Sequence, residues 1–215
     1  MAADRAAPWR PPEGRRLRVG GVFAAPLHGL AGVGTAADPA WAAAVVVEGG
    51  EVVDEVVAAG TFTAPYQPGY LALRQLALLE RTVRALRRTP DVLLVNATGR
   101  DHPRRAGLAL HLGAAVGIPT IGVTDRALAA AAAGPGPERG DRSELRWDGR
   151  LVGFRLRTRA SVRPVCVSAG WRTDPVTAAG VVLAMCEVSR TPLPLREARR
   201  RAREARSRGQ RRGPA

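Results

Sequence analysis

Residues 91–111, DVLLVNATGRDHPRRAGLALH, gather many of the chain's candidate chemical groups into one short stretch. The apolar, partly β-branched run Val92-Leu93-Leu94-Val95 lies between Pro90 and Gly99 and reads as a buried central strand. In open α/β sheets, ligands collect just beyond the carboxyl ends of such strands. Asn96, Asp101, His102, Arg104 and Arg105 fall there. A polar, doubly basic loop in that position suits an anionic substrate such as a phosphodiester. It suits equally well an ordinary strand-to-helix connection with a solvated arginine pair.

Charge bears on the choice. The 215-residue chain carries a net charge of +14, and all 33 of its basic residues are arginine. A coding bias toward Arg, Ala and Gly accounts for the missing lysine, but the excess of positive charge points to a phosphate-bearing partner, because guanidinium forks bind phosphates bidentately. The length allows one domain with a substantial core. No apolar run approaches the ~20 residues that cross a membrane. The start, MAADRAAPWRPPEGRR, has no signal-peptide apolar core, so a cytoplasmic location and no membrane partner are expected. Cys166 and Cys186 sit in apolar surroundings and read as buried thiols.

The elements that must position the loop follow from pattern. Residues 1–16, rich in Pro, Arg and Ala, read as a disordered extension. Leu17 to Phe23 is a strand with paired glycines, and Trp41–Val47 with Glu51–Val57 forms a hairpin, so an antiparallel meander is expected. Pro65-Tyr66-Gln67-Pro68 is a rigid turn. Two roles suit Tyr66: a wedge between stacked bases, or packing against the next helix. That helix is expected over about 69–88, with Gln75 in its second turn. A helix over 103–116 and a strand over 118–123 complete a β-α-β unit, which implies adjacent parallel strands. A short helix is expected over 125–133, a hairpin over 145–157 turning at Asp148-Gly149, and a strand over 165–168. Asp174-Pro175 is a helix start with the carboxylate as cap. The tail, 196–215, is expected to be partly helical or disordered. Between 196 and 212 it holds nine arginines and two glutamates, half of the net charge. Such tails bind nucleic acid through its phosphates or simply solubilise the chain.

Four stretches in this order, PYQPGYLALRQ (65–75), DVLLVNATGRDHPRRAGLALHLG (91–113), GIPTIGV (117–123) and SAGWRTDPVTA (168–178), resemble the endonuclease V family of inosine-directed nucleases, as does PLPLREARR near the end. The resemblance covers about 17–200. It implies an α/β, ribonuclease H-like domain over 17–195: a mixed sheet of antiparallel and parallel strands flanked by helices. It implies that Tyr66 is the wedge beside the lesion, shaped by Pro65, Gln67 and Pro68. Gly99 and His102, with Arg104 and Arg105, would then serve the pocket for a flipped hypoxanthine and the path of the backbone. The implied partner is inosine-containing DNA or RNA.

On the catalytic side the chain departs from the family. The resemblance places an Asp where this chain has Gly21, a Glu at Gln75, an Asp at Asn96, a Lys at Asp125, and an acidic or His ligand at about Arg199. The family uses Mg²⁺ or Mn²⁺, hard cations held by carboxylates. With those charges gone no metal cofactor is expected, and with it would go the activated water and leaving-group stabilisation. Three readings follow: an inosine-recognising protein impaired in catalysis; an active nuclease with ligands rewired to residues such as Asp101 and Asp174; and a non-enzymatic interaction module.

Overall fold

The computed structural model describes residues 7–29 and 32–211. Its centre is β4 (Val92–Val95), buried along its whole length. Val92 and Leu94 point into one core, and Leu93 and Val95 into another. A strand apolar on both faces needs cover on both, and that sets the three-layer plan.

β4 pairs in parallel with β1 (Arg18–Pro26) on one side and with β5 (Thr120–Thr124) on the other. Beyond β1 lie β2 (Pro39–Glu48) and β3 (Glu51–Thr61), both antiparallel, forming the expected meander. Beyond β5 lie β8 (Val165–Ala169), β7 (Arg150–Leu156) and β6 (Arg142–Trp147), again antiparallel. The eight strands run in the order β3-β2-β1-β4-β5-β8-β7-β6. Helices α1 (Leu71–Arg84) and α2 (Leu108–Val116) cover one face, while α3 (Pro175–Ala184) and α4 (Leu193–Arg211) cover the other. The mixed α/β sheet is therefore as expected. Among the described residues no helix is long and apolar enough to cross a membrane.

Local chemistry moves several boundaries. The Asp174 carboxylate accepts the N–H groups of Val176 and Thr177, with Pro175 at the first helical position, as the sequence indicates. α2 begins at Leu108 instead of 103, because Arg105 takes a left-handed conformation (φ 52°) and closes a turn onto His102. Residues 125–133 form no helix. The Asp101 carboxylate accepts the N–H groups of Leu128, Ala129 and Ala130, and Ala131 bridges to Arg146, so this alanine-rich segment is drawn along the sheet. Residues 7–16 have neither helix nor strand but are tied down: Trp9 N–H donates to the Arg172 carbonyl, Arg10 pairs with Asp174, and Arg15 with Asp91. Residues 1–6 of the expected disordered extension, and 212–215 of the tail, lie outside the described residues. The rest of the tail is α4.

α4 docks through Leu195, Ala198 and Ala202, all buried against the sheet. Truncating Leu195 to Ala should lower stability by about 2–5 kcal/mol in urea denaturation. Asp174→Ala should cost about 1 kcal/mol at neutral pH through loss of the cap. Burial opposes ionisation of Asp174, but hydrogen bonds from Thr177 and Arg10 outweigh it and hold the carboxyl below its ordinary range. The stabilisation is therefore present at neutral pH and lost as the pH falls through the folded value. The gap between parent and variant should accordingly close in acid.

Candidate nucleic-acid site

The carboxyl ends of β4 and β5 open onto a cleft of about 920 Å³, lined among others by Tyr66, Tyr70, Leu73, Asn96, His102 and Leu128. One wall is the turn before α1. Pro65, Tyr66, Gln67 and Pro68 are all exposed, and Tyr66 keeps 48% of its surface open. Among the described residues nothing hydrogen-bonds its hydroxyl. The turn itself is pinned. Tyr66 N–H donates to the Val33 carbonyl at 2.7 Å. Arg74, buried beneath it, donates to the carbonyls of Ala64 and Thr35, pairs with Asp38 and stacks on Phe62. Leu73, on the first turn of α1, is 64% exposed and faces the cleft.

The loop after β4 clamps the same turn from the other side. Arg104 donates to the Tyr70 hydroxyl and to the Gly69 carbonyl, each at 2.9 Å, and lies over the Tyr70 ring. His102 Nε2 is 3.0 Å from the Gly69 carbonyl, while its Nδ1 accepts the Arg104 N–H. These contacts fit a neutral imidazole protonated at Nε2. Burial, with the neighbouring Arg104 and His111 charges, holds its pKa below the ordinary value. His102 therefore braces the turn. Gly99 faces away: its N–H donates to Ser168 Oγ, and a side chain there would strike the Ala169 carbonyl. Arg105 sits beside Trp147 at the rim of a shallow hollow of about 370 Å³.

Behind the cleft lies a small pocket of about 140 Å³ that brings together Phe23, Gln75 and Asn96. Asn96 borders both cavities. Arg199 reaches it from α4, donating from Nη2 to Asn96 Oδ1 at 2.8 Å and lying over the Phe23 ring. Three residues singled out in the sequence, Gln75, Asn96 and Arg199, thus meet across α1, β4 and α4. Gly21 does not join them. It lies under the start of α4, where an added Cβ would stand 2.3 Å from the Pro194 carbonyl carbon. The β1 residue that does arrive is Phe23, two positions on. Its place follows from register, since Val22 pairs with Val95 and the next residue of each strand enters the mouth. Nothing in its own residue type signalled it.

The remaining carboxylates are engaged elsewhere. Asp125, 60% exposed on its side chain, pairs with Arg190 at 2.7 Å and Arg163 at 3.7 Å. The Arg190 hydrogen bond is the main cause of its lowered pKa. Asp101 is 1% exposed and holds the 128–130 segment, and Asp174 caps α3. Among the described residues no three His, Cys, Asp or Glu side chains cluster as a metal would require. Positive charge dominates instead. Burial, Arg203 and Arg190 hold the Arg199 pKa below its ordinary value, and Asp125 opposes them.

Comparison with known proteins agrees with this architecture. The endonuclease V family model matches residues 21–200. A Nocardia farcinica endonuclease V is 46% identical over 155 residues, covering 72% of this chain and 68% of that protein. The crystal structure of a Streptomyces avermitilis endonuclease V superimposes with a TM-score of 0.85 at 36% identity, covering 95% of this chain and 86% of that one. A Ciona intestinalis endonuclease V, solved with a 24mer DNA containing an inosine followed by a ribo-adenosine, shares the fold at 22% identity. It covers 90% of this chain and 87% of that one, with a TM-score of 0.72. With its cleft, its pinned tyrosine turn and a family match running from β1 into α4, this chain belongs to the endonuclease V family.

Proposed function

We propose that this protein recognises inosine-containing or locally distorted nucleic acid through the Tyr66 turn and the adjoining cleft, and does not cleave it efficiently. The observation that carries the reading is the Arg199–Asn96 hydrogen bond beside Gln75 and Phe23. A divalent cation of the hard, oxygen-seeking kind needs carboxylates in near-octahedral array. Here Asn96 Oδ1 already accepts a guanidinium, Gln75 carries no charge, and Phe23 offers no donor. The donor set does not fit the metal. No hydrolytic step is therefore assigned to it.

Recognition has better support. The cleft is lined mostly by apolar groups and rimmed by two tyrosines, a surface suited to an extruded base. The Ciona relative is solved with inosine-containing DNA. An active nuclease with rewired ligands would need Asp101, Asp125 and Asp174 to converge, yet each has its own separate partners.

The test pairs binding with cleavage, using inosine- and adenosine-containing strands in Mn²⁺ and in EDTA. Preferential binding of inosine that persists in EDTA, with little cutting, is the expected result. Rapid Mn²⁺-dependent cleavage defeats the proposal, and equal binding of both strands favours an interaction module. Tyr66→Ala should weaken binding about 5- to 150-fold if the ring stacks on a base.

A reconstruction provides the converse test. Phe23→Asp, Gln75→Glu, Asn96→Asp and Arg199→His together should confer metal-dependent cutting. The same set with Gly21→Asp in place of Phe23→Asp should not, because that side chain meets Pro194.

A further inference from the structure

α4 presents two different surfaces. Its inner side is small and apolar, with Leu195, Ala198 and Ala202 against the sheet. On one flank Arg201 is neutralised by Glu55 and Glu197, and Arg200 by Glu197 and Glu204. The outward groove, about 660 Å³, is different. It is lined by Arg196, Arg199, Arg200, Arg203, Arg208 and Arg211, with Glu204 and Ser207 among them, so Arg200 and its partner Glu204 belong to the groove as well. Among the described residues no carboxylate lies within ion-pairing distance of Arg199, Arg203, Arg208 or Arg211. Arg199 and Arg203 also share one ring, lying 5.3 and 5.9 Å from the centroid of Phe23. Like charges four residues apart on a helix repel one another. Arg203 is accordingly among the causes that lower the Arg199 pKa.

We propose that this row is a phosphate track, occupied by the backbone of the strand that carries the extruded base. The inference rests on the recognition reading above and extends it by assigning α4 a substrate of its own. The row begins at Arg199, which touches Asn96 at the rim of the cleft. From there it runs twelve residues to Arg211, about 18 Å at 1.5 Å per residue. That length spans several consecutive phosphates of one strand. The guanidiniums read no base edge, so the track adds affinity without sequence preference. It also places phosphate charge beside Arg199, whose partner Asn96 lines a pocket whose residues do not fit a metal ion.

The test measures binding of single-stranded oligonucleotides across a range of salt concentrations. Each probe carries one inosine or one adenosine, in deoxyribose and ribose series, with one or eight flanking nucleotides on either side. The proteins are the parent chain, Arg203→Gln/Arg208→Gln, and the charge-matched control Arg87→Gln/Arg88→Gln. The control pair is exposed in the loop before β4, at the opposite end of that strand from Asn96. Each neutralised phosphate contributes about 0.7 to the slope of log K against log salt for single strands. The α4 pair should therefore flatten the slope by about 1.4 on the long probes in both sugar series, and leave the inosine-to-adenosine ratio unchanged. The control should keep the parental slope.

The parent chain alone provides a second reading. Lengthening the flank should add affinity on one side of the inosine only, the side that follows α4. Unchanged slopes in the α4 variant, an equal loss in the control, or equal gains from both flanks would overturn the track. A missing inosine preference with the slope change intact would defeat the recognition reading and leave the track standing.

Discussion

A central strand without a polar face is the constraint from which the rest follows. Val92 to Val95 has no exposed side chain, so the chain must place helices both above and below it. Parallel pairing on both sides then brings the carboxyl ends of β1, β4 and β5 to the same edge. The loops that leave those ends have nowhere else to converge. Asn96 meets Phe23 on one side and borders the cleft of His102 on the other because of the strand, and α4 covers the opposite face because Val92 and Leu94 require it. The arginine that reaches Asn96 is therefore delivered by the same burial that holds the sheet together.

Electrostatics give the mouth its character. In a site built for a divalent cation, carboxylates concentrate negative charge so that the ion compensates for its lost water. Here the guanidinium of Arg199 donates to Asn96 at the mouth. A guanidinium on a helix is always charged, needs no loading, and presents a planar fork to phosphate oxygens. It supplies attraction without the ability to activate water.

Much of this was readable in the sequence, and the parts that were not share a physical cause. The strands of the meander, β4 and β5, the Asp148-Gly149 turn and the Asp174-Pro175 helix start are each announced by residues adjacent in the chain. Their signals are local, and they appear as expected. The misread segments answer to distant partners. Residues 125–133 are alanine-rich enough for a helix, but a carboxylate some 27 residues earlier captures their N–H groups. The HPRR segment is a turn because His102 and Arg104 are recruited by Gly69 and Tyr70, more than thirty residues away. In the mouth, the resemblance singled out Gln75, Asn96 and Arg199, and the fold brings the three together. Gly21 and Phe23 differ by two positions on a strand, which share a face, and only the register with β4 and the contact with Pro194 separate them.

The pinning of the Tyr66 turn has a kinetic consequence. The turn is held from below by Arg74, from the side by the Val33 carbonyl, and from across the cleft by Arg104 and His102. A recognition element fixed before its partner arrives loses little conformational freedom on binding. On the proposed reading, the work of the encounter falls on the nucleic acid, which would have to unstack and unpair one nucleotide to fill the cleft. Association would thus be timed by how readily each base leaves its helix. Discrimination would then begin as a difference in opening rate along the duplex, before any contact inside the protein has been made.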